Sequence, residues 1–212
     1  FSIDLMIGLP HEGKRAIELE IESLLQFNPS HFSVYILKAR KNYPHYESLP
    51  NDEKVRGEYL EVCDLLEKHG YLQYEVSNFA LTGKQSKHNK KYWDYSEVSA
   101  IGSNATGLIV KSENSIRYQW KSSSAAFQIE EVEGSSLLIE KLFLALRNEN
   151  GVNLFSLLNL EPGDERIQKL YKNWEFLEYL SSSSSLEKIS LGPKGYLMCD
   201  SIIDDIFKAV DF

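Results

Sequence analysis

The first ten residues are almost continuously apolar, and they end in a glycine and a proline. The string Phe1-Ser-Ile-Asp-Leu-Met-Ile-Gly-Leu-Pro10 has the length of one strand and carries one charge, Asp4. An apolar run of this kind is typical of a strand in a parallel sheet that is covered on both faces. The opening therefore favours an α/β architecture with a parallel sheet.

The next segments continue this pattern. Ile17 and Ile21 begin an apolar repeat at helical spacing that ends before Asn28-Pro29, and residues 31–37 read as a second strand. A second helix is predicted from about Asp52 to His69, followed by a short strand at residues 74–76. These elements form a βαβ unit that continues as an αβ alternation.

Residues 78–93 break the alternation and predict a long loop rich in polar and aromatic residues. Ordered domains usually keep such loops for binding or catalysis, so we expect the functional site there. Residues 101–110 then predict small residues followed by an apolar strand, with a return strand near Arg117.

Lys121-Ser-Ser-Ser marks a predicted boundary between residues 1–120 and residues 121–212. The first part has a net charge of −2 and the second −6, within a total of −8. In the second part, Leu138 and Leu142 belong to an amphipathic helix, residues 186–190 suit a strand, and residues 193–209 suit a last helix. Helices that close on a small hairpin indicate a winged-helix-like module.

Composition excludes several classes of protein. A net charge of −8 repels phosphate backbones, so we expect no nucleic-acid partner. Cys63 and Cys199 are too few and too far apart for a disulfide framework or a four-cysteine zinc site, which fits a reducing cytoplasm. Apolar runs stay well short of the ~20 residues that a membrane-spanning helix needs.

Two positions carry the strongest chemical signal. Asp4 lies within an apolar strand, where an unpaired carboxylate is costly to bury; it faces either a polar ligand or a salt-bridge partner on a helix. His88 is surrounded by lysines and followed by two aromatic residues: Lys84, Lys87, Lys90, Lys91, Tyr92 and Trp93. Aromatic faces stack on flat ligands, lysines pair with carboxylates and neutral imidazole coordinates iron. The alternative is a solvated basic loop anchored by its aromatic residues, and the nearby Glu75 and Asn78 read as ordinary turn residues.

Several strings resemble one family in the same order along the chain. They are Ile3-Asp-Leu-Met-Ile-Gly-Leu-Pro10, Tyr74-Glu-Val-Ser-Asn-Phe-Ala80, His88-Asn-Lys-Lys-Tyr-Trp93, Ile101-Gly-Ser-Asn-Ala105 and the segment from Leu186 to Leu197. They resemble the HemW-like, or oxygen-independent coproporphyrinogen III oxidase-like, branch of the radical S-adenosylmethionine proteins. The His-Asn-x-x-Tyr-Trp string is the most specific of them.

The resemblance implies the second half of an incomplete (β/α) TIM-like barrel over residues 1–120, followed by a small helical, winged-helix-like C-terminal domain over residues 121–212. It implies a missing N-terminal half-barrel, whose three cysteines hold a [4Fe-4S] cluster in the family. By position, Asp4 matches the family's aspartate at the adenosine ribose, and Lys38 and Thr106 match contacts to S-adenosylmethionine. His88 matches the histidine implicated in haem binding, with Tyr92 and Trp93 beside the tetrapyrrole.

Two functions remain open under this resemblance. As a haem chaperone, the protein holds haem through His88 and passes it to an apoprotein; as an oxidase, it decarboxylates coproporphyrinogen III to protoporphyrinogen IX. Ser86 replaces the cysteine that the family often has two positions before that histidine, and the family's usual Glu-x-x-Thr is absent around residues 39–43. Both departures count against the oxidase. Without cluster cysteines we expect no radical chemistry from the chain alone, and an uncovered first strand predicts self-association.

Overall fold

A computed structural model of the chain describes residues 1–11, 13, 15–121 and 126–210. Its contacts divide it into two compact units, residues 1–85 and residues 86–212. Most of the predicted boundary at Lys121-Ser-Ser-Ser lies outside the described residues, so the domain assignment at residue 121 stays a prediction.

The first unit has helices on one side of a small sheet. Its elements are β1 (Ser2–Ile7), α1 (Ile17–Leu25), β2 (His31–Ile36), a 3₁₀ turn (Tyr46–Ser48), α2 (Asp52–Lys68), β3 (Leu72–Gln73) and β4 (Asn78–Ala80). The strand order is β1-β2-β4-β3, with β1 parallel to β2 and the other pairs antiparallel. The predicted βαβ unit is thereby confirmed.

Local sequence explains why the two helices form there. Ile17 and Ile21 of α1 are buried, as the helical spacing of apolar residues requires. Helix α2 begins after Asn51, whose side chain accepts a hydrogen bond from the Lys54 amide. Beyond its end, Gly70 has a positive φ of 83°, a conformation that favours glycine. These signals place α1 and α2 as the sequence predicts.

Strand β1 differs from the prediction in its surroundings. Leu5 and Ile7 are buried, whereas Ser2, Asp4 and Met6 are exposed, so the strand is covered on one face and not on both. Helix α2 contacts β1, and helix α1 packs on α2. The expectation of a strand buried on both faces is therefore wrong for this chain.

The segment after α2 also differs from the prediction. The strand expected at residues 74–76 is replaced by a β3–β4 hairpin around them, and β4 pairs antiparallel with β2. The loop expected at residues 78–93 contains β4 and a short helix, α3 (Lys87–Trp93). The Ser86 side chain accepts a hydrogen bond from the Asn89 amide at 3.3 Å and so caps this helix, a local signal that the abundance of polar residues obscured.

The second unit consists of α3, an antiparallel sheet and five further helices within the described residues. The elements after α3 are β5 (Thr106–Val110), β6 (Asn114–Lys121), β7 (Ala126–Glu133), α4 (Gly134–Ala145), α5 (Leu154–Leu157), α6 (Glu165–Phe176), α7 (Pro193–Leu197) and α8 (Cys199–Val210). The strand order is β5-β6-β7. The predicted strand and return strand correspond to β5 and β6, whereas β7 was not predicted.

The end of the chain is less regular than expected. The predicted last helix, residues 193–209, is divided into α7 and α8 at Met198, whose backbone leaves helical geometry at φ −107° and ψ 11°. The backbone of α7 at Gly195 lies so close to the Tyr179 carbonyl oxygen that a Cβ atom at this position would clash with it. Residues 186–190 form isolated bridges and no named strand. In the described part of the chain, no helix is both long and apolar enough to cross a membrane.

Candidate functional site

One face of the first sheet is polar, and it is the face turned away from the buried Leu5 and Ile7. In the paired register, Ser2 lies beside His31, and Asp4 lies beside Ser33, which lies beside Asn78. Paired residues of neighbouring strands point to the same side of a sheet. We call this surface the polar sheet face; it consists of Ser2, Asp4, His31, Ser33 and Asn78.

The polar sheet face is open at one side and closed at the other. Asp4 on β1 is exposed, and so is Met6, which is 43% exposed beside Tyr35. Ser33 on β2 and Asn78 on β4 are each 6% exposed. A ligand that contacts Asp4 from solvent and extends across the sheet therefore approaches the buried Ser33 and Asn78.

A chain of hydrogen bonds joins three side chains at one end of this face. The Ser2 hydroxyl lies 2.7 Å from His31 Nδ1, and the Tyr74 hydroxyl lies 2.8 Å from His31 Nε2. Burial lowers the pKa of His31, while the nearby charge of Asp4 raises it less. The lowered pKa favours a neutral His31 that is fixed in orientation by two hydroxyl groups.

Glu75 and Asn78 are buried acceptors next to this face. Glu75 is fully buried, and neither of its carboxylate oxygens has a hydrogen bond of good geometry with the described residues. Burial raises the pKa of Glu75 to about 7, opposed by attraction to the Ser77 amide and to the Asn78 side chain and amide. The Asn78 Oδ1 atom is likewise buried without a partner in the described structure. Such orphaned acceptors are unusual in folded proteins and call for an explanation.

The exposed side of α3 carries the second group of candidate residues. His88 and Tyr92 are four positions apart, and their rings meet edge to face with centroids 5.0 Å apart. His88 is exposed, and Tyr92 is 45% exposed. The helix therefore presents an imidazole and an aromatic ring side by side to solvent.

The other α3 residues point in different directions. Trp93 is five positions after His88, about 140° around the helix, and it is half-buried. Lys91 lies about 60° from His88, whereas Lys90 lies on the far side and forms an ion pair with Glu149 at 3.5 Å. Of the lysines within α3, Lys91 is thus well placed to approach a ligand on His88.

The remaining predicted site residues belong to two separate units. Lys38 is exposed two residues past the end of β2, in the same unit as Asp4. Thr106 begins β5 in the second unit, where its hydroxyl accepts a hydrogen bond from Gln119 Nε2 at 3.3 Å. The first unit thus contains Asp4 and Lys38, and the second contains His88, Tyr92, Trp93 and Thr106.

Sequence reasoning undervalued Glu75 and Asn78, which looked like ordinary turn residues. Their polarity is typical of turns, and their burial follows from the β3–β4 hairpin that the sequence did not predict. The sequence offers no local signal for this burial, because Asn78 is a polar residue followed by the apolar Phe79 and Ala80, and all three are buried.

Comparison with known proteins gives consistent results. No family model matches the chain. A heme chaperone HemW from Lactococcus lactis is 32% identical over 164 residues, which cover 71% of this chain and 43% of the relative. The mitochondrial radical S-adenosyl methionine domain-containing protein 1 of Danio rerio is 33% identical over 116 residues, 51% of this chain and 26% of the relative. The chain spans less than half the length of these curated relatives.

A solved structure shares the fold. Coproporphyrinogen III oxidase (HemN) from Escherichia coli, described as a radical SAM enzyme, matches with a TM-score of 0.65 and 14% identity over 96% of this chain and 54% of that chain. The chain thus shares its mixed α/β fold with that protein. By its sequence, the chain belongs to the HemW-like branch of the radical S-adenosylmethionine family.

Proposed function

We propose that the chain is the C-terminal half of a haem-binding, chaperone-like radical S-adenosylmethionine protein that acts in haem and porphyrin metabolism. The observation that carries the proposal is the exposed His88 with Tyr92 packed against its ring on one side of α3. The HemW relatives are named heme chaperones, which supports the same function. In this proposal residues 1–120 complete an incomplete barrel, residues 121–212 form the winged-helix-like domain, and the protein works in the cytoplasm.

His88 is suited to hold iron. A neutral imidazole donates a nitrogen lone pair to haem iron, and an exposed ring is accessible to a large ligand. The Tyr92 ring contributes an aromatic surface for the porphyrin, and Lys91 contributes a charge for a propionate. We assign the tetrapyrrole contact to the side of α3 that carries His88 and Tyr92. The sequence also proposes Trp93 and the lysines Lys84, Lys87 and Lys90, of which Trp93 and Lys90 lie on the other side of the helix.

The polar sheet face fits the nucleoside part of S-adenosylmethionine. Asp4 is exposed on the open side, so its carboxylate is free to accept hydrogen bonds from the two ribose hydroxyls. The orphaned Oδ1 of Asn78 shows that the same face has a hydrogen-bond acceptor to spare. S-adenosylmethionine supplies one-electron chemistry when it is bound beside a reduced cluster, and this face binds and orients it. Lys38 and Thr106 are proposed as additional contacts.

The described residues do not fit a [4Fe-4S] cluster. Cys63 and Cys199 are both buried and lie in different units. Burial raises the pKa of the Cys63 thiol to about 12 and that of Cys199 to about 11, which disfavours the thiolate that binds metal. The cluster ligands of the family are therefore expected outside the described residues.

The oxidase is the second candidate function, and the fold shared with HemN favours it. It requires turnover of coproporphyrinogen III, whereas the chaperone requires retention of haem and transfer to an apoprotein. Ser86, which replaces the cysteine frequent in the family, acts here as the cap of α3. Ser86 thus has a structural role at this position, and the names of the HemW relatives favour the chaperone.

One experiment separates the two functions. The longer protein that contains this chain, reconstituted with its cluster, is supplied with haem in one assay and with coproporphyrinogen III and S-adenosylmethionine in another. We expect haem to stay bound through gel filtration and to move to an added apo-haemoprotein, without formation of protoporphyrinogen IX. Catalytic formation of protoporphyrinogen IX, with no retained haem, would establish the oxidase.

A further inference from the structure

A row of three polar residues crosses the first sheet. Asp4, Ser33 and Asn78 occupy paired positions on β1, β2 and β4, so their side chains stand on the same face. Neighbouring strands lie about 5 Å apart, which puts about 10 Å between the two ends of the row. This distance is comparable to the length of a nucleoside from its ribose hydroxyls to the far edge of its base.

The two ends of the row differ in exposure and in hydrogen bonding. Asp4 is exposed, whereas Asn78 is 6% exposed and its Oδ1 atom has no partner among the described residues. A buried acceptor without a donor costs about 1–3 kcal/mol, so a folded protein rarely keeps one unless a ligand or water completes it. The inner end of the row therefore requires a hydrogen-bond donor.

Glu75 determines whether the amide oxygen or the amide nitrogen of Asn78 faces that donor. Its carboxylate is fully buried beside the Asn78 side chain, and attraction between them opposes the rise in the pKa of Glu75. A carboxylate attracts the amide nitrogen of asparagine and repels its oxygen. The amide nitrogen of Asn78 thus faces Glu75, which leaves Oδ1 as the atom without a partner among the described residues.

We infer that Asn78 recognises the base of the nucleoside that Asp4 holds by its ribose, with Asn78 Oδ1 accepting a hydrogen bond from an exocyclic amino group. An asparagine amide is well matched to the edge of adenine, which has such a donor. A 6-oxo base presents an acceptor in the same place and is rejected, because two acceptors then face each other in a buried site. The inference rests on the proposed S-adenosylmethionine contact of Asp4 and adds the residue that selects the base.

The test uses two stable probes that differ at C6 and N1 of the base: the 6-amino group of adenine is replaced by a 6-oxo group, and N1 gains a hydrogen. S-adenosylhomocysteine and S-inosylhomocysteine are titrated into the chain, and NMR shift changes give the ratio of their dissociation constants. We expect the wild-type chain to prefer the adenosyl compound by about tenfold or more. Asn78→Ala should abolish the preference. Asp4→Asn should weaken the binding of both compounds equally and leave the preference unchanged.

Two further variants serve as controls for the effect of Asn78→Ala: one tests whether the loss of preference is due to misfolding, and the other is a matched surface change. Asn78→Thr retains a side chain suited to a strand, and its hydroxyl donates and accepts, so it should fold and bind both compounds about equally. Gln26→Ala removes an exposed amide at the end of α1 and should leave the preference unchanged. An unchanged preference in Asn78→Ala and Asn78→Thr, with weaker binding in Asp4→Asn, would overturn the inference while the proposed Asp4 contact stands. If neither probe binds, both the inference about Asn78 and the proposed Asp4 contact are wrong.

Discussion

At the scale of single residues, Glu75 gives the fold a distinct pH dependence. Burial raises its pKa from the ordinary 4.5 to about 7, so the native state binds its proton more tightly than the unfolded state does. This contribution to stability is fully present below pH 4.5 and is lost as the pH rises to about 7. Glu75→Gln should therefore stabilise the chain by up to about 3 kcal/mol near pH 8 and have little effect near pH 4.

Urea unfolding of both proteins at the two pH values measures this effect. Glu22→Gln, which changes an exposed glutamate on α1, is the matched control and should show the same pH dependence as the wild type. A destabilisation by Glu75→Gln that is larger near pH 8 than near pH 4 would contradict this account, because it would mean that hydrogen bonds hold Glu75 in its ionised form.

Two lysines of α3 should contribute differently to haem binding. Lys91 lies on the side of His88, whereas Lys90 is paired with Glu149. Lys91→Ala should weaken haem binding by up to about 1 kcal/mol, and the loss should shrink in high salt, as expected for an exposed charge. Lys90→Ala is the control, and a larger loss in Lys90→Ala than in Lys91→Ala would place the propionates on the other side of the helix.

At the scale of elements, the short helix α3 depends on its cap. Ser86 accepts a hydrogen bond from the Asn89 amide, and the helix has seven residues, too few to be stable on its own. Ser86→Ala should destabilise the helix by about 1 kcal/mol, and Ser86→Asp should restore it because aspartate caps equally well. Hydrogen exchange of the α3 amides measures both, and unchanged protection in Ser86→Ala would show that tertiary contacts alone hold the helix.

The elements also show what the sequence predicts and where it fails. The apolar residues of β1, α1, β2 and α2 recur with a clear period because each element buries one face. All four elements were predicted close to their observed bounds. The predictions failed where polar residues dominate: α3 begins at a serine cap in a lysine-rich segment. Strand β7 was missed because it is exposed along almost its whole length.

The same contrast applies to the candidate site. Asp4 and His88 were recognised because a charge in an apolar strand and a histidine among lysines are visible in the sequence. The role of Asn78 depends on the pairing of β4 with β2, which brings residues 45 positions apart into one row. Such register is a tertiary property, and local polarity gave no sign of it.

At the scale of the whole molecule, the positions of the two cysteines limit its metal chemistry. Cys63 and Cys199 are buried in separate units, and burial raises the pKa of each thiol. Anaerobic reconstitution of the chain with iron and sulfide should therefore yield no stoichiometric [4Fe-4S] cluster. Four iron and four sulfide per chain, with the visible absorption of a cluster, would contradict this expectation.

Haem binding through His88 is measured by a spectroscopic titration. Haem is titrated into the wild-type chain, into His88→Ala and into His45→Ala, which removes an exposed histidine of the other unit. We expect a saturable shift of the Soret band in the wild type and in His45→Ala that is lost in His88→Ala, because only His88 is proposed to ligate the iron. A wild-type spectrum and affinity in His88→Ala would contradict this role of His88.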